Sequence, residues 1–420
     1  MSPREVLLFV SPRFLFPVDS GGKIRTTQIL RGLKGGRFSI RLASPMGPHS
    51  AQQYAQDLHT VCDEFVGWPE RAVGRLNGFA RLRHLPGRLP IPVATDYTRA
   101  AAAAVTRELQ RRPSVVVFDF VHAAVLAPAT LEAPAVLFTH NVEAEIFERH
   151  RQVAGNRLMR ALWTNQHRKM RDFESQALGR FDVVVAVSER DSRKFAADYG
   201  TAAPVVIPTG VDLDFFSFEP PRREHDIVFC GSMDWLANQD GVQFFMEEVW
   251  PRIIAQAPQA KMTVVGRAPP AALVEAAARR GYAWKFTGFV DDVRPHMSGA
   301  AVSVIPLRIG GGTRLKVFES MAMGPAIVST SIGVEGLPVT PGRHCIVADD
   351  AAAFAQATVT LLRDAERRSQ ISLDARRYVE ANFGYSVAAQ AFERACGLAI
   401  DRRGRVAADP QSLQACGADA

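Results

Sequence analysis

Short apolar runs, rich in β-branched residues, alternate along the whole chain with longer segments of helical spacing. In the first half they cover residues 6–10, 39–43, 115–118, 136–139, 183–187 and 205–207. In the second half they cover 227–230, 262–265, 285–287, 302–305, 326–329 and 345–347. Runs this short, bounded by Gly, Pro or polar residues, read as strands buried on both faces, the signature of parallel sheets. Parallel neighbours need right-handed crossovers, and the intervening helical segments supply them. A chain of 420 residues also exceeds what one core holds. The expected fold is therefore α/β, with two doubly wound Rossmann-like domains. Pro220, Pro221, Arg222, Arg223, Glu224 and His225 interrupt both periodicities and mark the join. This predicts a first domain over 1–215 and a second over 216–400, with room for a final helix to pack back on the first. Residues 401–420 lack periodicity and read as a disordered tail.

Several function classes drop out. The five cysteines are scattered, odd in number and without CxxC spacing, which argues against a disulfide framework or a zinc site and fits a reducing cytoplasm. The apolar run near the N-terminus is too short for a signal peptide, and no stretch approaches the ~18 apolar residues of a membrane helix. The net charge of +7 is uneven: residues 1–210 carry +9 and residues 211–420 carry −2. The excess lies between Arg71 and Arg112 and between Arg149 and Arg180. Solvated helix faces account for it, as does attraction to an anionic membrane or a phosphate-bearing acceptor. No aromatics interleave with these basic stretches, so nucleic acid is not an expected partner. Arg71, Arg75, Arg81, Arg83 and Arg88 accompany Leu76, Phe79, Leu82 and Leu85 at three-residue steps, a pattern that could give one apolar helix face beside the arginines.

In doubly wound sheets ligands bind beyond the carboxyl ends of the strands. The segment after residue 305 runs from Pro306 to Gly324 and places three glycines ahead of Thr313, Arg314 and Lys316. Glycines let backbone N–H groups approach an anion, and a helix N-terminus adds partial positive charge. Two cations in a first helical turn oppose the helix dipole, a cost that a bound diphosphate offsets. Glu319 follows about one and a half turns into the helix, and its carboxylate can accept two hydrogen bonds from a ribose diol.

At this segment the chain resembles the family-4 glycosyltransferases, a retaining group with the GT-B fold, in which two Rossmann-like domains face each other across a cleft. The resemblance extends over nearly the whole chain and is strongest to bacterial enzymes of exopolysaccharide and cell-surface glycan synthesis. Glu319 matches the family's ribose-binding glutamate. The family's other glutamate of this motif falls on Gly311, so the resemblance shifts its sugar contacts to the backbone of Gly311, Gly312 and Thr313. Gly21 and Gly22 look like the family's N-terminal glycine loop near the donor phosphate. His140, within Thr139–Glu143, resembles the histidine that reaches the transferred sugar. Residues 207–212 look like the passage into the second domain, with Thr209 replacing the usual Asn. Gly231 and Ser232 match the first donor-domain loop, which here lacks the cations common in relatives, so that Arg314 and Lys316 take their place. Arg267, Phe289 and Val290 fall where the base pocket is lined.

The resemblance implies retaining transfer from a nucleotide-sugar donor to a glycan or lipid-linked acceptor in surface polysaccharide synthesis. His140, Arg314 and Lys316 would serve the reacting groups, and the departing phosphate would assist deprotonation of the acceptor. No cofactor and no metal are expected, since no DxD-like pair lies in a phosphate loop; Asp291-Asp292 reads as a helix cap. The alternatives are a GT-B sugar-nucleotide epimerase or phosphorylase, or a non-catalytic nucleotide-binding protein. A nicotinamide dehydrogenase would need GxGxxG after the first strand, where the chain instead has Ser11, Pro12, Arg13 and Phe14. The expected location is cytoplasmic, with possible peripheral contact on the inner membrane face.

Overall fold

The structure is a computed structural model and describes residues 4–48, 50–70, 83–152, 154–207, 210–309 and 315–408, the last three by backbone alone. Two compact units emerge: Met1–Pro208 with Ala388–Ala420, and Thr209–Val387. The first contains β1 (Glu5–Val10), β2 (Phe38–Met46), β3 (Glu64–Pro69), β4 (Val115–Asp119), β5 (Ala135–Phe138), β6 (Val183–Ala186) and β7 (Val205–Val206). They form one sheet in the order β3-β2-β1-β4-β5-β6-β7, with every pairing parallel. The second contains β8 (Arg223–Cys230), β9 (Lys261–Val265), β10 (Trp284–Phe286), β11 (Ala300–Ile305), β12 (Ala326–Ser329) and β13 (Ile346–Val347). Its order is β10-β9-β8-β11-β12-β13, again all parallel.

Burial on both faces explains the continuous apolar runs. In β1, Leu7 and Phe9 enter one core, while Leu8 and Val10 enter the core on the other face. The helices that cover these faces start and stop on local signals. Ser188 caps Glu189–Tyr199 by accepting from the Asp191 N–H, and Gly200 ends that helix at φ +64°. Thr98 and Asn156 cap Arg99–Gln110 and Arg157–Leu178 in the same way.

The division between the units lies at 208/209 rather than near 216–224. Val211 bridges to Gly384, and Glu219 donates to the Met323 carbonyl, so this segment is already tied into the second unit. The helix Tyr385–Ala408 extends into residues read from sequence as a disordered tail. From Ala388 onward it belongs to the first unit, where Phe392 packs 5.0 Å from Phe138 and 6.5 Å from Phe9. Residues 409–420 lie outside the described residues, as do Arg71, Arg75, Leu76, Phe79, Arg81 and Leu82 of the basic, apolar stretch.

Strand order reverses direction between β1 and β4 in the first sheet and between β8 and β11 in the second. These switch points open crevices beyond the strand carboxyl ends, where ligands of doubly wound sheets bind.

Candidate functional site

At the switch point of the second sheet, β8 ends in Cys230 and turns through Gly231, Ser232, Met233 and Asp234. The turn is fixed to the end of β9: Gly231 N–H donates to Val265 O at 2.9 Å, and Met233 N–H donates to Arg267 O at 2.9 Å. Gly266 is required here, since a Cβ on it would lie 1.9 Å from the Gly231 carbonyl oxygen. Arg267 Nε donates to Ser232 Oγ at 2.9 Å and to Asp234 Oδ2 at 3.0 Å, and Ser232 Oγ donates to Asp234 Oδ1 at 2.7 Å. The turn carries no cation of its own, as expected from the sequence; Arg267, expected at the base pocket, reaches it from the end of β9.

The facing wall is the helix Leu315–Met323, which follows β11. Lys316 lies in its first turn. Its Nζ donates to Asn238 Oδ1 at 2.7 Å and sits 4.8 Å from the Phe229 ring. Asn238 is buried and donates through Nδ2 to Ser232 O at 2.7 Å, so one amide ties the lysine to the turn. A Cβ on Gly231 would stand 2.9 Å from both Asn238 Nδ2 and Lys316 Nζ, so glycine keeps this corner open.

Glu319 is one turn beyond Lys316, on the same side of the helix. It is partly buried and makes no hydrogen bond among the described residues. Burial pushes its pKa up to about 7, against the opposing pull of Lys316. Burial also raises the Cys230 thiol to about 12, and the nearby Glu319 adds to that rise. A carboxylate held this way gains from any ligand that donates hydrogen bonds to it. Gly311, Gly312, Thr313 and Arg314 lie outside the described residues. Of the base-pocket candidates, Phe289 is 72% exposed, while Val290 is partly buried against the cluster of Val228, Val265 and Met297. Asp292 accepts from the N–H and the guanidinium of Arg294, at the start of the helix Arg294–Met297.

The first sheet's switch point has a different character. Gly21 and Gly22 open the helix Gly21–Leu33, and a Cβ on Gly22 would lie 2.4 Å from Phe120 Cζ. Phe120 follows β4 at φ +66°, ψ 148°, a region that side chains rarely adopt. Its ring stacks on His140 at 3.8 Å. His140 is buried, with both ring nitrogens engaged. Arg25 Nη1 lies 2.9 Å from Nδ1, and Asp119 Oδ1 lies 2.7 Å from Nε2. Arginine only donates, so Nδ1 accepts and Nε2–H donates to Asp119. Burial lowers the His140 pKa although Asp119 opposes it, consistent with this neutral tautomer. Asp119 also accepts from Ser11 Oγ at 3.1 Å and Thr26 Oγ1 at 3.0 Å. Burial brings Arg25 down to about 10. His140 is thus a locked member of a buried network. Asp119 and Phe120 were not singled out from sequence, although the end of a buried strand was the signal that pointed to them.

Among the described residues no helix is long and apolar enough to cross a membrane. Residues 20–215 match the family model Glycosyltransferase Family 4, and residues 224–364 match Glycosyl transferases group 1. The phosphatidyl-myo-inositol mannosyltransferase of Mycolicibacterium smegmatis is 27% identical over 209 residues, 48% of this chain and 52% of that protein. An uncharacterized protein in the cps region of Klebsiella pneumoniae is 23% identical over 209 residues, 48% of this chain and 53% of that one. The chain spans about half the length of the curated relatives it matches. Among solved structures, Anabaena HepE in complex with UDP and glucose aligns at a TM-score of 0.63 and 15% identity, over 93% of this chain and 99% of that one. TarM aligns at 0.67 and 8% identity, over 94% and 98%. At such identities the likeness is one of fold.

Proposed function

The chain belongs to the family-4 glycosyltransferases, and from that premise we propose that it transfers a sugar, with retention, from a nucleotide-sugar donor to a glycan or lipid-linked acceptor in surface polysaccharide synthesis. One observation carries the donor half of this reading: at the second switch point a lysine that donates to a buried amide and a carboxylate with no hydrogen bond among the described residues share one helix face opposite a glycine turn. Lys316 neutralises the diphosphate, with Arg314 and the backbone of Gly311, Gly312 and Thr313 completing the phosphate contacts. Ser232 contributes the facing amide, and Gly231, whose own N–H is held by Val265 O, leaves the room for a phosphate to approach. Glu319 accepts hydrogen bonds from the ribose diol, and Phe289 meets the base.

In the transfer, the bond from the anomeric carbon to the diphosphate oxygen breaks, and a bond to the acceptor oxygen forms on the same face. The acceptor proton passes to the departing phosphate oxygen. Charge neutralisation at the leaving group supplies the rate enhancement, so neither a protein nucleophile nor a metal is part of this reading. His140, with both ring nitrogens engaged by Arg25 and Asp119, holds the shape of the first unit's own crevice rather than offering a free ring nitrogen. The +9 charge of residues 1–210 supports contact with an anionic inner-membrane face, where a lipid-linked acceptor would reside.

The test is a thermal-shift screen of UDP-, GDP-, ADP- and CMP-sugars, followed by turnover of the stabilising donor. A donor that stabilises and is then consumed, with the product anomer retained, supports the reading; no stabilisation by any of the four rejects it. Co-sedimentation with anionic and neutral vesicles at low salt tests the membrane contact, which equal pelleting with both would exclude.

A further inference from the structure

A cavity of about 770 Å³ lies in the first unit at the carboxyl ends of β1, β2 and β3. One part of its wall is cationic on balance: Lys23, Arg13 and Arg83 line it together with a single carboxylate, Glu70, which forms no ion pair with any of them among the described residues. Lys23 is already used, 3.1 Å from Asp19 and hydrogen-bonded to Pro17 O. Arg13 and Arg83 have no carboxylate partner among the described residues. Arg13 lies 5.9 Å over the Phe120 ring, and Arg83 donates to the neighbouring His84 ring at 3.2 Å. Residues 71–82, outside the described residues, contain no Asp or Glu in the sequence and cannot supply the missing charge.

Asp96, at the end of the helix Ile91–Asp96, forms another part of the wall. Its Oδ2 lies 3.1 Å from Nδ1 of His122, which is only 7% exposed. Nε2 of His122 points toward Glu143 Oε2 at 3.6 Å and makes no hydrogen bond. Burial disfavours charge on this imidazole, but Asp96 and Glu143 outweigh it and hold the pKa up at about 9. The imidazolium fixes one oxygen of Asp96 from behind. A carboxylate anchored in this way keeps its remaining acceptor capacity for a hydroxyl in the cavity. Phe14, Phe16 and Trp68 also line the cavity and add apolar faces to it.

An anion-seeking wall and a hydroxyl-accepting wall in one cavity define a ligand class. We propose that this cavity takes the acceptor as a sugar phosphate, with a sugar hydroxyl on Asp96 and the phosphoryl oxygens on Arg13 and Arg83. His122 is the positioning residue behind Asp96. The inference rests on the transferase reading above and assigns its acceptor; the phosphoryl group belongs either to a free sugar phosphate or to a lipid-linked one.

Calorimetry on the full chain tests it with three probes: α-glucose 1-phosphate, glucose and inorganic phosphate. Glucose 1-phosphate should bind about tenfold more tightly than either of the others. Arg13→Ala and Arg83→Ala should each remove about that factor. Asp96→Asn and His122→Gln should weaken glucose and glucose 1-phosphate while leaving inorganic phosphate unchanged, a selectivity that a general loss of structure would not produce. Farnesyl-monophosphate-linked glucose, with the same single phosphoryl group, separates the sources: tighter binding than glucose 1-phosphate assigns a lipid-linked acceptor, and equal or weaker binding assigns a free one. The proposal is overturned if glucose 1-phosphate binds no tighter than glucose, or keeps its affinity in both arginine variants. UDP and GDP titrated in parallel report on the other unit. Their binding with no preference for sugar phosphate sinks this inference alone, whereas their failure to bind counts against the donor reading.

Discussion

The two switch points occupy the same place in two similar sheets and are built on opposite principles. In the first unit Asp119 accepts from Ser11, Thr26 and His140, and Arg25 backs the histidine. That network is closed and buried. In the second unit Lys316 has a neutral amide partner, and Glu319 has no hydrogen bond among the described residues, with its pKa raised to about 7. The first is complete without a ligand and holds geometry. The second carries an electrostatic cost, the burial of Glu319, that a hydrogen-bond-donating ligand would relieve. Mutations should therefore separate into those that damage stability and those that damage binding.

Asp119→Ala tests the stability side most severely. It strips the anion from a buried cluster that keeps Arg25, and should cost about 3–5 kcal/mol. Calorimetric unfolding should show that loss while nucleotide affinity, measured below the transition, stays at the wild-type value. A matching loss of nucleotide affinity would break the contrast.

Lys316→Ala should do the reverse. We expect nucleoside-diphosphate binding to weaken by about 1.5–3 kcal/mol with the unfolding profile unchanged. Titration calorimetry with UDP and GDP decides it, and unchanged affinity for both removes the phosphate role.

Glu319 gives a smaller, pH-dependent effect. Its folded pKa lies above the usual carboxylate value, so the folded state holds the extra proton and unliganded stability falls as pH rises through about 7. A ribose diol donates to the ionised form, so nucleotide-sugar affinity should rise over the same interval. Nucleotide sugars suit the measurement because their diphosphate does not titrate near neutrality. Glu319→Gln should flatten both profiles relative to wild type, which also removes the parallel contribution of Glu174, raised by burial to about 7. Persistence of the wild-type slope would assign the titration elsewhere.

The mildest test concerns Gly22. Gly22→Ala should cost about 1–3 kcal/mol, because its Cβ meets the Phe120 ring. In the Phe120→Ala background the cost should shrink by about 1 kcal/mol, a coupling readable from a double-mutant cycle. Full additivity would mean that the glycine serves something other than the ring.

The sheets were legible in the sequence because strands buried on both faces leave uninterrupted apolar runs. β3 was not, for a physical reason. It is an edge strand, it carries Gly67 and ends in Pro69, and of its residues only Trp68 is buried. The placement of Lys316 and Glu319 on the helix after β11 was legible because cations in a first helical turn violate a local rule. Arg267 on the turn, Asn238 between turn and lysine, and Asp119 beneath His140 were not visible. Each acts through contacts between segments distant in sequence, and no local pattern records them.

The helix Tyr385–Ala408 has a consequence for synthesis. Phe392, Ala395 and Ala399 close the core formed by Leu7, Phe9 and Phe138, which leave the ribosome hundreds of residues earlier. The half translated first is therefore finished last. Early helices supply Ile29, Leu30, Leu33, Leu58 and Val61 to that core, but the part of the sheet face under Phe392 must wait while the other unit is made and can fold. A ribosome that stalls anywhere in the second unit releases a first unit lacking its lid, a nascent chain suited to capture by chaperones rather than an independently stable product.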